Sequence, residues 1–154
     1  MKRTLIAQIG IMLVLTMLGG CFGGSVASTP TPQTPQTRVR ETLDNMVDAY
    51  SSKNIRGFMA LVSDSYTGDS SVLDSAVLRD FSAATNITIR YTFNNVTTDG
   101  KGKASAALTF TRNYTDIKTG KQITNQGQTT MIFQIVGGSC LLYTQNQPQL
   151  FGFK

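Results

Sequence analysis

The chain changes its hydrophobic period once, near residue 86, and that switch limits the fold more than any other feature. From Ile87 onward, Ile87, Ile89, Tyr91 and Phe93 alternate with Thr88, Arg90, Thr92 and Asn94. A period of two marks a half-buried strand. Upstream, Val39, Leu43, Met46, Val47 and Tyr50 fall at i, i+4, i+7, i+8 and i+11, one face of a helix. Asn54 is placed to cap a shorter second helix carrying Ile55, Phe58, Met59 and Val62. A third helix is predicted over about Ser71 to Ala84, with Leu73, Val77, Leu78 and Phe81 as its stripe; 66–70 reads as loop or short strand. Helices followed by strands give the α+β class.

The turns set the register. Asp99-Gly100 and Gly137-Gly138 both have the chemistry of two-residue hairpin turns. Strands are predicted over about 103–115, 122–136 and 139–144, with Gly127 a bulge or bend in the third. A two-residue turn at 99–100 pairs Tyr91 with Leu108 and Phe93 with Ala106; one at 137–138 pairs Phe133 with Leu142 and Ile135 with Cys140. One face then collects Ile89, Tyr91, Phe93, Leu108, Phe110, Met131, Phe133, Ile135, Cys140 and Leu142. The other is rich in Thr, Asn and Gln, with Ile132, Val136, Leu141 and Tyr143 as apolar exceptions. A one-sided antiparallel sheet needs cover on its apolar face, and three upstream helices supply it. The expected fold is three N-terminal helices on one face of a curved antiparallel sheet of about four strands.

This order of elements resembles the nuclear-transport-factor-2-like (NTF2-like), or SnoaL-like, fold. "KNIRGFMALVSDSYTGD" at 53–69 is similar to the end of the first helix pair in such proteins, and "GGSCLLYTQNQPQLFGF" at 137–153 to their last strand and tail. The resemblance implies a cone with a pocket between sheet and helices. It covers isomerases, dehydratases and cyclases, and non-catalytic binding and assembly domains as well.

The N-terminal part reads as an address. Lys2 and Arg3 precede a mostly apolar run, Leu5 to Leu18, shorter than the roughly 20 residues of a membrane span. Leu18-Gly19-Gly20-Cys21 then resembles the lipobox of bacterial lipoproteins. That resemblance implies cleavage before Cys21, a diacylglyceryl group on its sulfur, and a place in the cell envelope, lipid-anchored and facing the periplasm or exterior. Phe22 to Thr37, FGGSVASTPTPQTPQT, is uncharged and holds three of the chain's 4 prolines, the composition of a tether. The organisation is thus a signal peptide over 1–20, a lipidated cysteine and tether over 21–37, and an α+β domain over 38–154.

Chemistry is sparse. The chain has no histidine. Residues 38–154 carry 12 Lys and Arg against 9 Asp and Glu, too small an excess for nucleic-acid binding. All the carboxylates read as helix flanks, loops or turns, Asp64 and Asp69 being the best remaining candidates for a general base. No cluster has metal-ligand spacing and no cofactor is implied. Cys140 reads as a small buried hydrophobe. Tyr91, Arg112 and Tyr114 share the apolar face yet carry polar atoms, which makes them candidate pocket residues. Three fates are open to Arg112: reaching solvent at the sheet's end, pairing with a carboxylate such as Asp64 or Asp69, or meeting a ligand. Ile132, Leu141 and Tyr143 form a candidate partner surface. The leading expectation is a membrane-tethered, non-catalytic domain binding a small ligand or an envelope protein. A tethered enzyme of isomerase, dehydratase or cyclase type is one alternative; a structural module forming a homodimer is another.

Overall fold

The computed structural model describes residues 33–153. The leader, Cys21 and the tether as far as residue 32 lie outside the described residues. Helix α1 runs Pro35–Ser51, α2 Ile55–Met59 and α3 Ser70–Ala83. Strands β1 (Ala84–Thr98), β2 (Lys103–Asp116), β3 (Gln122–Val136) and β4 (Ser139–Gln145) form one antiparallel meander in the order β1-β2-β3-β4.

The first helix starts earlier than a boundary at 38 allows. Thr34 is its N-cap, accepting from the Thr37 N–H at 3.3 Å, and Pro35 opens the first turn. Threonine supplies the missing acceptor, and proline has no N–H to satisfy there. The last Thr-Pro pair of the tether is therefore a helix start. Asn54 caps α2 as expected, its Oδ1 accepting from Gly57 N at 2.9 Å.

The stripe of α3 differs from expectation. Leu78 is 44% exposed, and the buried residues are Leu73, Ala76, Val77, Asp80 and Phe81. At about 100° per residue, Leu78 lies about 140° round from Leu73, whereas Asp80 falls in the middle of the buried stripe.

Hairpin register separates the two turn types. At 137–138 the tight turn gives Phe133↔Leu142 and Ile135↔Cys140, as the sequence implies. At 99–102 the loop has four residues. Asp99 Oδ1 accepts from Lys101 N at 2.7 Å and Lys103 N at 2.9 Å, so the side chain organises a wider turn. Together with a bulge further along β1, this turn leaves Tyr91 opposite Phe110 and Phe93 opposite Leu108. The shift is two residues, so the faces are kept. The bulge lies between Phe93 and Asn95, and on its turn side Val96 stands opposite Ala106. Gly127 is not a bulge. It pairs in register with Phe110, and a Cβ there would lie 2.9 Å from Pro148 Cγ and 3.0 Å from Phe110 Cζ. It is glycine because the chain passes over it.

The free edge of β4 is covered by the segment after α2. Leu142 N donates to Leu61 O at 2.8 Å, Ser63 N to Leu142 O at 2.9 Å, and Thr67 N to Tyr143 O at 3.0 Å. Beyond β4 the chain turns under the sheet, and Leu150 and Phe151 are wholly buried in the core with Tyr50, Phe58, Leu108, Met131 and Phe133.

Candidate functional site

The cone interior holds a buried polar group that the helix periodicity of the sequence contains but its polarity conceals. Asp80 on α3 is 0% exposed. Its Oδ2 accepts from the Tyr50 hydroxyl on α1, and from the Phe153 N–H at 2.9 Å. Burial, then the Asp80 charge and the hydrogen bond to it, raise the Tyr50 pKa well above the ordinary phenol value. Tyr50 is therefore a neutral donor at any physiological pH. Its ring packs at 5.1 Å from Phe81, 5.1 Å from Phe151 and 5.6 Å from Phe58.

Arg112 on β2, 4% exposed, reaches the same interior. Its Nη1 donates to Leu150 O at 2.7 Å and Gln149 O at 3.3 Å, and its guanidinium carbon lies 3.4 Å from the Phe153 ring centroid. Burial lowers its pKa, while Tyr50, Asp80 and Tyr114 act in the opposite direction. Its Nε–H has no acceptor among the described residues. So Arg112 neither reaches solvent nor meets Asp64 or Asp69, both of which are exposed. Asp69 instead caps α3, its Oδ1 accepting from Ser71 N at 2.9 Å.

The three candidate pocket residues divide. Tyr114 joins Arg112 around one ring, its centroid 5.0 Å from that of Phe153. The Tyr91 hydroxyl donates instead to Asp44 on α1, beside Phe93, whose ring Arg40 covers at 4.8 Å. Burial, then the hydrogen bond to Asp44, raise the Tyr91 pKa.

The candidate partner residues lie on the outer face. Ile132, Leu141 and Tyr143 are each half-buried, and Lys103 Nζ sits 3.8 Å from the Tyr143 ring centroid. Val136 shares their strand face and is 60% exposed. Cys140 is buried, and burial pushes its thiol pKa up. No group of three His, Cys, Asp or Glu among the described residues is placed to hold a metal ion. A neutral hollow of about 200 Å³ is lined by Asn94, Ala107, Leu108, Gln128, Thr129, Thr130, Asn146 and Gln147.

The sequence comparisons give no match, either to a protein-family model or to a curated protein. Solved structures do match in fold. A candidate scytalone dehydratase from Novosphingobium aromaticivorans aligns with TM-score 0.65 at 7% identity, over 71% of this chain and 80% of the other. A ketosteroid isomerase-like protein from Erwinia carotovora atroseptica gives 0.60 at 14%, over 70% and 90%. An NTF-2 like protein of unknown function from Shewanella oneidensis gives 0.55 at 9%, over 73% and 97%. The fold is the NTF2-like cone: three helices against an open four-stranded antiparallel sheet. These likenesses, at such low identity, speak for the fold alone.

Proposed function

We propose that this chain is a membrane-tethered, non-catalytic NTF2-like domain. Lipid on Cys21 holds it at the envelope, and an envelope protein docks on the outer sheet face around Ile132, Val136, Leu141 and Tyr143. One observation carries the non-catalytic reading. Leu150 and Phe151, each 0% exposed, occupy the interior where a cone enzyme would admit a substrate. The Tyr50 hydroxyl and the Phe153 N–H meanwhile engage one oxygen of the buried carboxylate. A general base needs its lone pair within reach of a substrate proton, and here the protein's own chain stands in that place. The anchor rests on Leu18-Gly19-Gly20-Cys21 and the uncharged Pro/Thr run after it.

The tethered enzyme stays as a second reading, because Tyr50 and Asp80 pair an acid with a base inside a fold shared with a ketosteroid isomerase-like protein. Titration of the full domain with 2-naphthol, an uncharged bicyclic aromatic, separates the two. A closed cone leaves the methyl resonances of Leu43, Leu108 and Leu142 unmoved. Saturable shifts of those methyls would favour the enzyme.

A further inference from the structure

Residues 149–153 are held in an unusual way for a core segment. Strand pairing does not secure them. Side chains from the body of the domain grip their main chain one group at a time. Arg112 takes the Gln149 and Leu150 carbonyls at 3.3 and 2.7 Å. The Gln145 carboxamide takes both sides of Phe151, donating to its carbonyl at 2.9 Å and accepting from its N–H at 3.3 Å. Asp80 takes the Phe153 N–H at 2.9 Å. These three polar side chains are all buried.

The side chains of the segment are read as well. Leu150 and Phe151 are fully buried, and the Phe151 ring lies 5.0 Å from Phe58 and 5.1 Å from Tyr50. The Phe153 ring centroid lies 3.4 Å from the Arg112 guanidinium carbon and 5.0 Å from the Tyr114 ring centroid. Gly152 has φ +70°, and a Cβ there would lie 3.0 Å from Ala76 Cβ. Burying a carboxylate, a guanidinium and a carboxamide costs free energy that a purely apolar plug would not need to recover. What such groups add is discrimination. They accept a chain with its carbonyls and N–H groups in these positions and reject an apolar body lacking them.

We propose that the cone is a peptide-recognition site. It is occupied in cis by Gln149–Phe153 and takes the same pattern from another protein chain: an apolar residue, an aromatic, a glycine and a second aromatic, with the two leading carbonyls turned to one arginine. The proposal rests on the closed-cone reading above, which the naphthol titration tests separately on the unaltered domain. Entry of a peptide requires the cis segment to leave while the sheet stays folded, a local opening.

Two measurements decide it. In native-state hydrogen exchange of the wild-type domain, the Phe151 and Phe153 amides should exchange at least about 100-fold faster than the ladder amides of Leu108 and Phe133. Exchange at the same rate as the ladder, showing release only on global unfolding, overturns the proposal. In the full chain carrying Phe151→Ala, the peptide acetyl-Gln-Leu-Phe-Gly-Phe-amide should bind saturably and raise the melting temperature. A scrambled peptide of the same composition should do neither. If Phe151→Ala does not fold, Phe153→Ala, at a half-buried position, takes its place. Failure of the peptide to bind the folded variant at millimolar concentration, or equal binding of the scrambled peptide, contradicts the proposal.

Discussion

The Tyr50 hydroxyl donates to the Asp80 carboxylate in the middle of the core, joining α1 to α3 through two side chains that are both 0% exposed. The same carboxylate oxygen receives the Phe153 N–H. One buried acidic group thus ties both helices to the segment that closes the cone. Tyr50→Phe removes one donor and keeps the ring. Urea denaturation should show a loss of about 1–3 kcal/mol. Asp80→Asn should cost at least as much, and the double variant less than the sum, since the two residues share one interaction. Additive losses would mean that the pair is not coupled.

The pH dependence follows from the direction of the Tyr50 shift. Its pKa is raised in the folded state above the unfolded value of about 10. Above that pH the unfolded chain has released a proton that the native state keeps, so stability falls as pH rises. Below pH 10 the contribution is fully present. Tyr66 and Tyr91 shift in the same direction, chiefly through burial, and add to the loss. Denaturant midpoints measured between pH 8 and 11 should decline above about 10, and less steeply in Tyr50→Phe. Equal slopes in the two proteins would remove Tyr50 from this role.

Two glycines should resist a single methyl. Gly127→Ala drives a Cβ into Pro148 and Phe110, and Gly152→Ala combines a left-handed φ with a clash on Ala76. Each should lower stability by about 1–3 kcal/mol in thermal or urea unfolding, through overpacking or backbone strain. Gly120→Ala makes a control, because its φ is also positive but nothing lies within 4 Å of its Cβ. It should show the backbone term alone.

Truncation should locate the working start of the domain. A chain beginning at residue 33 keeps the Thr34 cap and should melt like the longer protein. One beginning at 38 loses the cap and Pro35, and should be weaker by about 1 kcal/mol. Equal melting temperatures would place the boundary at 38 after all.

For the anchor, mass spectrometry of the mature chain should find diacylglyceryl on the Cys21 sulfur, and Cys21→Ser should abolish membrane retention. An unmodified Cys21 thiol on the mature chain contradicts the tether. For the outer face, Val136→Asp with Leu141→Lys should leave the melting temperature within about 1 kcal/mol equivalent, since neither residue is fully buried. Cells carrying that pair should nonetheless behave as cells lacking the protein. Wild-type behaviour would remove this surface from the proposed function.

Much of the fold could be read from period alone. The face of the first helix, the four strands and the Gly137-Gly138 register rest on local patterns that the structure keeps, whereas the α3 stripe is rotated off Leu78. The first hairpin was less legible, because Asp99-Gly100 satisfies the rules for a two-residue turn while the Asp99 side chain builds a four-residue one. Asp80 was hidden for another reason. Leu73, Ala76, Val77 and Phe81 bracket it at helical spacing, so geometry alone puts it inside. Its charge argues for solvent, and what overrides that is hydrogen bonding to residues 30 positions before and 73 after it. The role of Phe151 was beyond local patterns altogether, since its partners Tyr50 and Phe58 come from the other end of the domain.

The closed cone is tested most directly by aromatic NOEs in solution. With the ring centroids 5.1 Å apart for Phe151 and Tyr50, and 5.0 Å apart for Phe151 and Phe58, strong cross-peaks should join all three rings, with Phe151 shifted far from random-coil values. Random-coil Phe151 resonances without cross-peaks to Tyr50 or Phe58 would show that residues 149–153 lie outside an open cone.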